Sequence, residues 1–207
     1  MKKITFMIIA IALFSVGKLS AQAEEESGQA FEQGKIVVSA GYGFPNFTKL
    51  YFKAFQNYGG YTTTGVGPVH FKFEYAIADK IGLGLSINYS SYKVEWDYTD
   101  SAYSYTKYKE GFKGSSISAI LRMNVHFATS EKLDPYFGIG VGYRTNSFSY
   151  YNTDPFYRGT ARVTGAIIPV GFETTLGLRY FFTENVGAYM EMGVAKSLIQ
   201  GGVSIKF

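Results

Sequence analysis

The feature that most limits what this chain can fold into is a two-residue rhythm. Val69, Phe71, Phe73, Tyr75 and Ile77 alternate with His70, Lys72, Glu74 and Ala76, and Ile81, Leu83, Leu85, Ile87 and Tyr89 alternate with Gly82, Gly84, Ser86, Asn88 and Ser90. A helix would group apolar residues every three or four positions, whereas strict alternation belongs to a strand with two unlike faces. Ala78-Asp79-Lys80 between the two segments reads as a tight turn. The pattern recurs from Ile36 to Phe44, Ile117 to Phe127, Phe137 to Tyr143, Ile168 to Phe182, Val186 to Val194 and Gly201 to Phe207. That makes eight strands. Short turns alternate with long connections near residues 45–66, 95–114 and 145–164, and a shorter one near 196–200. In the first long connection Phe47, Leu50, Tyr51, Ala54, Phe55 and Tyr58 follow Asn46 at helical spacing and stop at Gly59-Gly60, which predicts a short helix.

Alternation does not say which face is wet, and here composition enters. A soluble eight-stranded barrel turns its apolar face inward, and a membrane barrel turns it outward. The apolar faces carry almost no charge, while the opposite faces carry Lys72, Glu74, Arg122, Arg144, Glu173, Arg179, Glu191 and Lys206 among many small residues. Aromatic residues are 18% of the chain and charged residues only 17%, below the quarter or so usual for a soluble domain. Tyr42, Tyr75, Tyr89, Tyr143, Tyr180 and Phe182 fall near strand ends on the apolar side, as membrane girdles do.

The N-terminus agrees. Lys2 and Lys3, the apolar run Ile4 to Val16 and Ala21-Gln22-Ala23 have the three parts of a secretory signal, with cleavage expected after Ala23. Residues 24–34 are polar and read as a loose, flexible segment leading into a barrel over residues 35–207. Without Lys2, Lys3 and Lys18, the 20 basic residues become 17 against 16 acidic ones, so nothing favours nucleic acid as a partner. The absence of cysteine excludes disulfides and a lipid-modified N-terminal cysteine.

With these residues in view, the chain resembles the small eight-stranded outer-membrane β-barrel proteins of the OmpA and OmpX kind. The segments GPVHFKFEYAIADKIGLGLSINYSSY, LRYFFTENVGAYMEMG and GGVSIKF carry the likeness, which covers residues 35–207. The resemblance implies an all-β, up-and-down transmembrane barrel in the outer membrane of a Gram-negative-type bacterium, with both termini periplasmic. It also implies that Val203, Ile205 and Phe207 form the signal read by the barrel-assembly machinery, and that outer-membrane lipids are the surrounding partner. No soluble peptidoglycan-binding module is expected.

Five inward basic residues (Lys72, Arg122, Arg144, Arg179, Lys206) face three acidic ones (Glu74, Glu173, Glu191), and the expectation is a structural charge network in a lumen filled by side chains, with Glu191 and Glu173 as partners of Arg122. His70 and His126 both point inward; neither has the serine two residues on that lipid A deacylase barrels place after a histidine, and two lone histidines fall short of a metal site. Gly138-Ile139-Gly140-Val141-Gly142 lacks the third glycine and following helix of a dinucleotide site, so it reads as an inward row of small residues. No cofactor is called for. Trp96, Tyr98, Tyr103, Tyr105 and Tyr108 in one loop, and Phe148, Tyr150, Tyr151, Phe156 and Tyr157 in another, are candidates for gripping an unidentified extracellular ligand, although loop-to-loop packing and upward extension of the strands explain them better. The reading is therefore a non-enzymatic surface-interaction barrel, with a narrow passive pore and a lipid-modifying enzyme as alternatives.

Overall fold

The computed structural model describes residues 28–46, 56–57, 59–99, 107–155, 162–164 and 169–207. Its strands are β1 (Ile36–Phe44), β2 (Thr62–Thr64), β3 (Val69–Ala78), β4 (Ile81–Thr99), β5 (Lys107–His126), β6 (Leu133–Asn152), β7 (Arg162–Thr164), β8 (Val170–Phe181), β9 (Val186–Val194) and β10 (Ile199–Lys206). The sheet closes on itself. β1 pairs antiparallel with β3 on one side and with β10 on the other, and β3, β4, β5, β6, β8, β9 and β10 complete the ring. Eight strands therefore form the wall, while β2 and β7 are short additions along β4 and β6. At the seam Ile36 and Phe207 exchange backbone hydrogen bonds of 3.0 and 2.8 Å.

Two rims differ. One carries the short turns β3–β4, β5–β6 and β8–β9 beside the seam, and Ala128 in the second of these has φ 52°, a left-handed conformation found in tight turns. At the other rim β4, β5 and β6 run on for 19, 20 and 20 residues. A tilted strand crosses a bilayer in about 9 to 11 residues, so roughly half of each stands beyond the barrel proper. This revises the expected loops. Much of the 95–114 connection is a continuing hairpin, with Asp97 opposite Lys109 and Thr99 opposite Lys107, and the 145–164 connection begins as β6 through Asn152. Apart from the turn at 56–57, the expected helix lies outside the described residues.

The leading segment also departs from expectation. Residues 24–27 lie outside the described residues, but 28–34 pack into the short-turn rim: Ala30 and Phe31 are fully buried, Ala30 N donates to Ser130 O and Gly34 N to Ala76 O. A polar stretch looked loose because its one large apolar residue, Phe31, has no periodic neighbours to announce where it docks. It joins Val37 and Ala76 in a small core cluster.

Candidate functional site

Register places the even-numbered residues of β3 to β6 inside the barrel, and most of them are polar. Lys72, Glu74, Arg122, Glu173, Arg179 and Glu191 are all at most 6% exposed, whereas Leu121, Val141 and Leu176 on the outer wall are 66%, 58% and 58% exposed. Burying an unpaired charge is costly, so the lumen must satisfy each of these groups internally.

It does so in layers. Beside the short turns, His126 Nδ1 lies 2.6 Å from Asp134 and Nε2 lies 2.9 Å from Glu74. Arg179 reaches the same two carboxylates, donating to Asp134 at 3.1 Å and pairing with Glu74. Phe31 lies flat on the His126 ring at 3.4 Å and 6°, closing this mouth.

The next layer centres on Glu191. One of its oxygens meets Lys72 at 2.6 Å, Arg122 at 3.0 Å and the Gln200 amide at 2.6 Å, and the other accepts from the Tyr136 hydroxyl at 2.6 Å. Arg122 also donates to Asn124 and Thr175 and lies 3.6 Å from Glu173. Small residues make room for this network: a Cβ at Gly138 would strike the Arg122 guanidinium, and one at Gly177 would enter the Tyr136 ring.

Higher still, Asn88 Nδ2 donates to Glu173 at 2.7 Å, which leaves Asn88 Oδ1 to accept from His70 Nδ1 at 2.5 Å. His70 Nε2 then faces the Ser197 hydroxyl at 3.3 Å. This Ser197–His70–Asn88 order is the one a nucleophile, base and orienting group would have. Its surroundings are packed, however: Ser197 is 1% exposed, and a Cβ at Gly43 would collide with both Ser197 and His70, so no reacting atom fits in front of the hydroxyl. The relay instead ties the β9–β10 turn into the mouth, helped by Lys196, which donates to Asn88 O and to Ser116 O and Oγ.

Six of the eight charges singled out from the sequence thus meet in two stacked clusters, Glu74 with Arg179 and Lys72, Arg122 and Glu173 with Glu191, and the Tyr136 ring, 4.4 Å from the Arg179 guanidinium, lies against both. Arg144 and Lys206 stand apart. Arg144 is half-buried towards the long-strand rim, and Lys206 at the opposite rim donates to Gln29 O and lies 4.9 Å over the Phe181 ring. The cluster beside the short turns also contains Asp134, which lies just before the strand expected from Phe137 to Tyr143. It lies two residues before Tyr136, so carrying the inward parity one step back would have found it. Gln200 follows the same rule on β10, two before Gly202. Val203 and Ile205 sit on the outward apolar wall and Phe207 at the seam.

The loop aromatics divide. Trp96, only 7% exposed, and Val94 form a second core above the lumen with Tyr61, Tyr92, Phe112 and Phe148. Trp96 Nε1 donates to Glu110 at 2.5 Å and Tyr150 OH to the other oxygen of Glu110 at 2.6 Å. Trp96 is therefore a packing residue and not an exposed contact for a ligand, because β4 extends upward and turns it inward. Tyr98 is 38% exposed, and Tyr151 lies on the opposite, outward face of β6. Tyr103, Tyr105, Phe156 and Tyr157 lie outside the described residues.

A polar, mutually bonded interior inside an apolar wall is an inverted protein, and only an apolar solvent outside makes it stable. This is an eight-stranded membrane barrel. No family model and no curated protein matches the chain. Among solved structures it is similar to the N-terminal β-barrel domain of Pseudomonas aeruginosa OprF (18% identity, TM-score 0.39, covering 85% of this chain and 99% of that one). It is likewise similar to Ail of Yersinia pestis (15%, 0.40, 84% and 99%) and to the outer membrane protein OprG of Pseudomonas aeruginosa (13%, 0.40, 88% and 99%).

Proposed function

We propose that the protein is an outer-membrane barrel that carries a rigid platform on the cell surface rather than conducting solutes. In this reading residues 1–23 are removed on export, both termini lie on the periplasmic side, and Val203, Ile205 and Phe207 are presented to the barrel-assembly machinery. The observation that carries it is the lumen: Arg122, Lys72, Tyr136 and Gln200 converge on Glu191, with Phe31 stacked across one mouth and the Lys196–Ser197 turn drawn into the other. A barrel built to pass solutes would have no use for a network that fills its bore. The strands β4, β5 and β6, continued past the membrane around Trp96, make the platform. The test is conductance of the purified, folded barrel in planar bilayers, with folding checked by faster migration of the unboiled form in detergent gels. No stable conductance is expected. A stable large conductance would replace this reading with a pore.

A further inference from the structure

The outer wall of the β4–β5–β6 extension is banded. Cross-strand register fixes the bands without reference to side-chain conformation, because paired residues share a face. Tyr89, Ile117 and Thr145 form one row; Ser91, Ser115 and Ser147 form the next; Lys93, Lys113 and Ser149 form the third, with β7 placing Arg162 opposite Ser149. The wall therefore passes from apolar, through hydroxyls, to cations in four residues. At about 3.3 Å per residue and a tilt of about 40°, the cationic row stands roughly 10 Å above Ile117. Lipid headgroups occupy about 5 to 7 Å beyond the hydrocarbon edge, within reach of lysine stems that bend towards them.

Two details suggest that an anion belongs there. Lys93 and Lys113 are directly opposite each other in the ladder, an arrangement that repels unless a negative charge lies between them. Both ammonium groups also flank one ring, Tyr151, at 5.4 and 5.9 Å, which holds them as a pair. Glu95 lies 2.8 Å from Lys93 and answers one of the two charges, and no carboxylate among the described residues is within ion-pair distance of Lys113.

We propose that Lys93 and Lys113, with the hydroxyls of Ser91, Ser115 and Ser149 around them, bind the phosphate groups of lipid headgroups in the leaflet on the long-strand side. The proposal rests on the membrane reading above and adds a headgroup preference to it. The test places the full chain in lipid nanodiscs of phosphatidylcholine with and without phosphatidic acid and measures which lipid stays bound, by native mass spectrometry. The native protein should retain phosphatidic acid preferentially. Each surface lysine contributes about fivefold to anionic lipid binding, so Lys93→Gln with Lys113→Gln should cut that preference by roughly thirtyfold, while Lys107→Gln with Lys109→Gln, higher on the wall, should leave most of it. Equal retention by the first pair of substitutions, or an equal loss from the second, would overturn the site. Inorganic phosphate added to phosphatidylcholine discs distinguishes the source: if it raises the unfolding temperature as much as phosphatidic acid does, the ligand is free phosphate and the lipid assignment fails. Protein recovered outside the discs would instead overturn the membrane reading itself.

Discussion

The lower and upper halves of β4 use the same parity for opposite purposes. Within the barrel its inward residues are Ser86, Asn88 and Ser90; four residues further on they are Val94 and Trp96. β5 makes the same change from Ser118 and Ser116 to Phe112, and β6 from Arg144 to Phe148. The outward faces change in the reverse sense, from Leu85, Ile87 and Ile117 to Lys93, Glu95 and Lys113. One continuous sheet is thus inside-out below and ordinary above. The solvent around each half explains the change: lipid takes apolar side chains and leaves polar pairing to the interior, while water takes the charges and leaves an aromatic core. The crossover, between Ser90 and Val94 on β4, marks where the wall leaves the membrane.

The halves should therefore fail differently. The largest effect is expected in the lower one. Arg122→Ala removes the cation that bridges Glu191 and Glu173; Lys72 still neutralises Glu191, so Glu173 is the group that loses its ion pair and keeps the hydrogen bond from Asn88. Breaking a buried pair from one side costs about 3 to 5 kcal/mol, and the surviving Lys72 contact places this variant near 3 kcal/mol. A urea series in detergent should show a clearly lowered midpoint, and an unchanged one would mean that the lumen is not held by charge.

In the upper half the corresponding substitution is Phe112→Ala, which removes the ring touching Trp96 at 5.5 Å and Phe148 at 5.1 Å. Large-to-small changes in a packed core cost roughly 3 kcal/mol, but here the loss should stay local to the extension. Trp96 is the single tryptophan of the chain, so its emission reports on this core alone. The expected result is a red shift in Trp96 emission with the unfolding midpoint of the barrel unchanged. A drop in that midpoint as large as the one for Arg122→Ala would show that the two halves form one cooperative unit.

The contrast also explains what the sequence could disclose. Strand number follows from period two, and the inward position of Lys72, Glu74, Arg122, Glu173, Arg179 and Glu191 follows from period two once the composition of the two faces says which one is wet. Where β4 and β5 end did not follow, because the polarity inversion at Ser90 and Val94 breaks the rule that apolar means outward and makes a continuing strand look like a loop. Phe31 and the Ser197–His70 contact were illegible for another reason. Each joins residues about a hundred positions apart through a segment with no rhythm of its own, and only the closed barrel brings them together.

The smallest expected effect lies on the wet face of the upper half and is one of pH. Glu95 accepts a hydrogen bond from Lys93 at 2.8 Å, and this contact holds its carboxyl below the ordinary carboxylate range against the opposing influence of partial burial. A carboxyl whose pKa is depressed in the folded protein adds stability that is fully present above its unfolded value, near about 4.3, and that is lost as pH falls through the lower folded value. Exposed ion pairs are worth about 1 kcal/mol or less, so the loss should not melt the extension. It should loosen it. Trp96, the next residue along β4, points to the other face and reports the change without taking part in it. Its emission should be flat from neutral pH down to the carboxylate range and shift slightly red below it, and Glu95→Gln should abolish that dependence while leaving the neutral-pH spectrum nearly as it was. An acid shift that survives Glu95→Gln would show that the Lys93–Glu95 pair is not the acid-sensitive contact of the upper half.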